Sequence, residues 1–177
     1  MPTLLRFAAS IDKLNRDIGR ALAWLLLLAV LVSATASTLR YAFSWGSNGL
    51  IELQWFLFGL TFLLCAPWTL QDKGHVRIDI IYSHLSPRGQ ALIDLLGGLF
   101  FLLPFCLLVG VDAWGYFGLS WQQREFSPNP GGLPWWPIKL AIPVACALLG
   151  AQGVAESLKA LAVLMGYPPA VAKNHKE

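Results

Sequence analysis

The sequence predicts an all-α integral membrane protein with four transmembrane helices, an N-terminal amphipathic helix and a short interfacial cytoplasmic connection. Three observations carry this. Of the 177 residues 56 % are hydrophobic and only 13 % charged, a balance foreign to ordinary soluble domains. The apolar residues gather into four long runs between charged ones. Basic residues then fall mainly on one side of those runs, as the positive-inside rule requires.

The whole chain, residues 1–177, reads as a single membrane domain. Residues 1–20 form its amphipathic start, and the spans lie at about 21–39, 51–71, 91–119 and 137–160. In the first segment Leu4, Phe7, Ala8, Ile11, Leu14 and Ile18 recur at helical spacing, opposite Arg6, Lys13, Arg16, Asp17 and Arg20. Such a helix is expected to lie on the inner membrane surface; a cytoplasmic tail is the alternative.

Between charges, the apolar cores are Ala21 to Leu39, Leu53 to Gln71, Leu95 to Val111 and Leu140 to Ala155. At about 1.5 Å per residue they cover roughly 24 to 28 Å, and their flanks complete a hydrocarbon core of roughly 30 Å. Ala34-Thr35-Ala36 looks like a signal cleavage site, but acidic Asp12 and Asp17 precede the run and it continues to Leu39, so an uncleaved span is expected. Pro67, Pro104 and Pro143 place one proline in each of the last three spans and favour kinks there.

Ten basic residues (Arg6, Lys13, Arg16, Arg20, Lys73, Arg77, Arg88, Lys159, Lys173, Lys176) face one side; Arg40, Arg124 and Lys139 face the other. Both termini are therefore expected in the cytoplasm. Tyr41, Trp45, Trp55, Trp114, Tyr116, Trp121, Trp135 and Trp136 form the outer aromatic belt. A net charge of +3 in short scattered clusters suits anionic lipid rather than nucleic acid, which is not expected as a partner.

An enzyme is not expected. There is no nucleotide-binding, zinc-protease or serine-hydrolase motif. His75, His84 and His175 fall in loop or tail, so no intramembrane pair exists to ligate haem. Cys65, Cys106 and Cys146 lie in separate apolar runs without metal-site spacing and read as small packing residues. No cofactor is expected in the chain. Acidic residues bracket the spans: Glu52 and Asp72 the second, Asp94 and Asp112 the third. Glu52 and Asp112 each sit within a turn of apolar sequence, and the sequence does not say whether they face helices or water.

In the last span Ala147, Ala151 and Ala155 recur four apart. Small faces let helices approach closely in lipid, so this stripe is a candidate packing surface, within the chain or against a partner. In the connection after Asp72, His75, Arg77 and Asp79 alternate with apolar residues. They are expected to make structural contacts at the cytoplasmic interface, before a helix that opens at Ser86-Pro87.

At this point the stretch "ELQWFLFGLTFLLCAPWTLQDKGHVRIDIIYSHLSPRGQALIDL" resembles the small permease subunit, DctQ-like, of tripartite ATP-independent periplasmic (TRAP) transporters. The matching positions are Glu52, the Phe62-Leu63 pair, His75-Val76, Asp79 and Leu85-Ser86-Pro87. "SPNPGGLPWWPIKLAIP", residues 127 to 143, is similar to the mannitol/chloroaromatic-type subgroup. Leu64-Cys65 departs from the glycine and small residue of many members. The resemblance implies a bacterial inner-membrane subunit that scaffolds a large permease subunit. That partner would carry the substrate and sodium sites, and a periplasmic substrate-binding protein would deliver an organic acid. Glu52, His75, Arg77, Asp79, Ala147, Ala151 and Ala155 are then candidates for the partner-subunit interface. Arg124, Glu125, Trp135 and Trp136, in the outer loop, are candidates for docking the binding protein, or simply belt residues. A stand-alone four-span exporter is the rival function; it needs an embedded carboxylate for coupling, and the first span has none.

Overall fold

A computed structural model of the chain describes residues 2–72, 82 and 84–167. The order of helices is α1 (Pro2–Phe43), α2 (Asn48–Gln71), α3 (Pro87–Gly97), a π-helical turn (Gly98–Leu102), α4 (Leu103–Gln122), the short α5 (Trp136–Lys139) and α6 (Ala141–Leu164). Four stretches are long and apolar enough to cross a membrane: 3–43, 48–71, 87–122 and 136–164. Among the described residues the one strand-like feature is an isolated bridge between Phe126 and Pro134.

α1 is 42 residues long, about 63 Å at 1.5 Å per residue. The amphipathic stretch expected over 1–20 is helical, but it runs into the first span without a break instead of forming a separate surface element. Only part of its apolar face packs on the bundle, and the rest stays outward, where a surface helix presents it. Ala8, Asn15 and Gly19 turn inward while Leu4, Phe7 and Leu14 are exposed. The reason is contact: a Cβ on Gly19 would lie 2.3 Å from Cε3 of Trp68 on α2, so only glycine allows the two helices this approach.

Ser86 caps α3 by accepting a hydrogen bond from the Gly89 amide (3.2 Å), with Pro87 in the first turn, as its sequence suggests. The helix does not stop at the interface; it continues through the π turn into α4. Pro104 explains that turn. It has no amide proton, and its ring would strike the carbonyl four residues back, so the backbone takes one wider loop before it. The detour sets Gly98 against Ser157, where a Cβ would lie 2.7 Å from Oγ, and Leu102 against Gly153.

α6 is the hub. It packs against α1 and α2 on one side and against α3, the π turn and α4 on the other, while α1 and α2 pair lengthwise. Of its most apolar stretch 44 % is buried, against 6 % in the first and third spans. Its buried residues are almost all small: Ala141, Pro143, Ala145, Gly153, Ala155, Ala160 and Ala162, with one polar exception, Gln152. Small side chains let the neighbouring backbones close in, and dispersion takes over where lipid offers no hydrophobic drive. Cys106 faces Gly150 and Cys146 faces Gly110 across the α4–α6 contact, so these two cysteines pack as small residues; all three cysteines are free.

Candidate functional site

Two polar constructions sit at opposite ends of the bundle. At the loop end, Glu52 lies in the second turn of α2 and is 3 % exposed. Its carboxylate gathers one loop. Oε1 accepts from the Ser127 hydroxyl and from Asn129 Nδ2 (3.0 Å), and Oε2 accepts from the Leu133 amide (2.8 Å). Asn48 adds a bond from Nδ2 to the Pro130 carbonyl (3.0 Å). Glycines make the fit possible: a Cβ on Gly132 would lie 2.4 Å from that of Ser127 and 2.9 Å from Glu52 Oε1, and Gly131 turns with φ +72°.

The same loop carries the four docking candidates, and the structure brings them together. Glu125 turns inward, accepting hydrogen bonds from Lys139 Nζ and from the Ser120 hydroxyl. These two donors, Lys139 first, hold its carboxyl below the usual carboxylate range. Arg124, at φ +47°, stacks its guanidinium 4.4 Å from the Trp121 ring centre and 5.4 Å from that of Trp136. Those two indoles meet edge to face at 4.6 Å. The Trp135 amide closes the hairpin on the Glu125 carbonyl (2.9 Å). What remains outward is Arg124 and, beside it, Phe126, 63 % exposed. Phe126 is a residue sequence reasoning missed, because its exposure depends on the turn that directs its neighbour Glu125 inward to Lys139.

At the terminal end, Gln152 is fully buried and ties α1 to α6. Its Oε1 accepts from Asn15 Nδ2 (2.7 Å), and its Nε2 donates to Asp12 Oδ1 (2.8 Å) and Glu156 Oε1 (3.0 Å). Lys159 completes the cluster, with Nζ 3.1 Å from both Asp12 oxygens and 2.6 Å from Glu156. A glutamine among alanines is visible in the sequence, and Glu156 follows it at i,i+4, but Asn15 and Asp12 lie 137 and 140 residues away and no local spacing announces them.

The remaining candidates divide. Glu52 is engaged inside the chain. Ala155 is fully buried, Ala151 half-buried and Ala147 exposed, so a strict four-residue repeat winds off the contact face, since 3.6 residues make a turn. His75, Arg77 and Asp79 lie outside the described residues. Asp112, the acidic residue left open between helix and water, is exposed on α4. No group of three metal-binding side chains occurs among the described residues.

Compared with known families, residues 29–163 match the family described as "Tripartite ATP-independent periplasmic transporters, DctQ component". No curated protein and no solved structure matches.

Proposed function

Because this chain belongs to the DctQ family of TRAP transporter components, a small multi-pass subunit of the inner membrane, we propose that it is the fixed scaffold for a large permease subunit. In this reading the large subunit carries substrate and sodium sites, and a periplasmic binding protein delivers an organic acid to the pair, driven by the sodium gradient. Both termini face the cytoplasm and the loop at 123–135 faces the periplasm, which puts Arg124 and Phe126 where a delivered binding protein would meet them. The resemblance of residues 127 to 143 further suggests a mannitol/chloroaromatic-type member.

One observation carries the scaffold reading. Two polar side chains buried in this bundle are held within it, Glu52 by its loop and Gln152 by Asn15, Asp12 and Glu156. A path for an ion or substrate needs polar groups open to a cavity. A support needs them satisfied, because each then fixes a helix or loop in one place.

Purification of the tagged chain from native membranes in mild detergent tests this. The expected result is recovery of a larger polytopic subunit at one to one, and sodium-dependent uptake after reconstitution with binding protein. Recovery of this chain alone as a stable homo-oligomer overturns the scaffold reading and favours an exporter.

A further inference from the structure

α4 carries an ionisable group where the bundle offers it nothing. Asp112 is exposed and has no hydrogen-bond or ion-pair partner among the described residues. Helix length places it at the edge of the apolar core, below the last turns of the helix. From Asp94, at the opposite end of the same continuous helix, to Asp112 is about 27 Å of helix, close to the roughly 30 Å of a hydrocarbon core. Beyond it the helix climbs about 15 Å further to Gln122, through Trp114, Tyr116 and Trp121 of the aromatic belt. The belt's own cation, Lys139, lies 4.0 Å over the Tyr116 ring, a full turn above Asp112. An aspartate has one methylene and cannot reach up past that turn as a lysine could.

Carboxylates in spanning helices face the interior of a helix bundle. This one faces out of its own chain, so the bundle it belongs to is larger than this chain. Its surroundings describe the missing neighbour. Phe101, Phe105, Leu108, Asp112, Gly115 and Leu119 follow steps of four, three, four, three and four, the seam of a left-handed helix pair. All six are exposed, with Phe101 78 % and Leu108 65 % exposed. Around Phe101 and Phe105 the seam has a shallow, open apolar depression that Gly97 and Leu102 also line. Gly115, one turn from Asp112, has nothing within 4 Å of where a Cβ would stand, so a neighbouring backbone can come close there.

We propose that this face of α4 docks a transmembrane helix of the large subunit, and that the helix presents a basic side chain to Asp112. The proposal rests on the scaffold reading and deepens it by naming the face and the chemistry of the contact. Charge complementarity selects this occupant over lipid: acyl chains cover Phe101, Phe105 and Leu108 equally well but leave the carboxylate unpaired. Asp112 sets register along an otherwise apolar seam, the role a single polar seam position plays in helix pairs.

The test uses the complex as purified. Photo-crosslinking residues at Leu108 and Leu119, with Trp24 on α1 as the off-face control, are expected to join this chain to one spanning segment of the large subunit that carries lysine or arginine at that depth. Asp112→Leu is expected to weaken retention of the large subunit on the order of tenfold. Gly115→Leu should do the same while leaving the isolated chain folded and at least as stable, because the site is open and leucine is the better helix former. Full retention in both variants, or crosslinks only to lipid or to a second copy of this chain, overturns the proposal. If the unaltered chain brings down no large subunit, the scaffold reading fails first and is recognised as the failure.

Discussion

The two ends of the bundle solve the same problem, a polar group at the edge of an apolar interior, in different ways. At the loop end one carboxylate, Glu52, serves three donors that all come from residues 127–133. At the terminal end an amide, Gln152, is shared among side chains on two helices, with Lys159 bridging Asp12 and Glu156. The first arrangement fixes a loop to a helix; the second fixes two helices to each other. Loss at the terminal end should therefore lower the stability of the whole bundle, whereas loss at the loop end should loosen one segment and leave the helices packed.

Gln152→Leu is the sharpest way to break that contrast. It leaves Asn15 without its acceptor and Asp12 with one donor fewer in a buried setting, a cost of about 3 kcal/mol. For a domain of this size that lowers the melting temperature by about 8 °C, measured on the detergent-solubilised chain. A shift under about 2 °C would mean that α1 and α6 are held by packing alone. Glu52→Gln keeps the shape but turns one acceptor into a donor facing donors. Hydrogen exchange at the Leu133 amide should then rise about tenfold while exchange within α6 stays unchanged; a parallel rise in α6 would show that the two ends are coupled.

The smallest expected effect is on pH. The Lys139 and Ser120 bonds lower the folded-state pKa of Glu125 below its ordinary 4.5. A carboxyl depressed by folding adds stability that is present above its ordinary value and is lost as the pH falls through the folded one. Melting temperature should hold down to about pH 5 and then decline, and in Glu125→Gln that part of the decline should vanish. An unchanged acid limb in the variant would show that the Glu125 pair adds nothing to stability.

Much of the architecture was legible because lipid imposes strict rules. Four apolar runs of spanning length, with Ser86-Pro87 as a capped helix start, are local statements, and local chemistry enforces them. The N-terminal segment was legible as a helix but not in its placement. Leu4, Phe7 and Leu14 stay outward, as an apolar surface face does, while Gly19 and Asn15, which that pattern leaves out, dock on distant Trp68 and Gln152. The docking candidates were legible as a loop rich in charge and aromatic rings. That Glu125 turns inward to Lys139 while Phe126 turns out was not, since φ at Arg124 and the closure by Glu52 decide it.

Glu52 and Asp112 draw the boundary most clearly. In the sequence they are alike, each a carboxylate within a turn of an apolar span, and the sequence by itself determined only that both sit near an interface. Tertiary structure decided that one is buried under a loop that returns 75 residues later and the other faces outward with no group among the described residues to meet it. Hydropathy and spacing act over one helix, and they set span, cap and depth. Which way a charged side chain faces depends on what the rest of the chain brings to it, and that is settled only when the helices have packed.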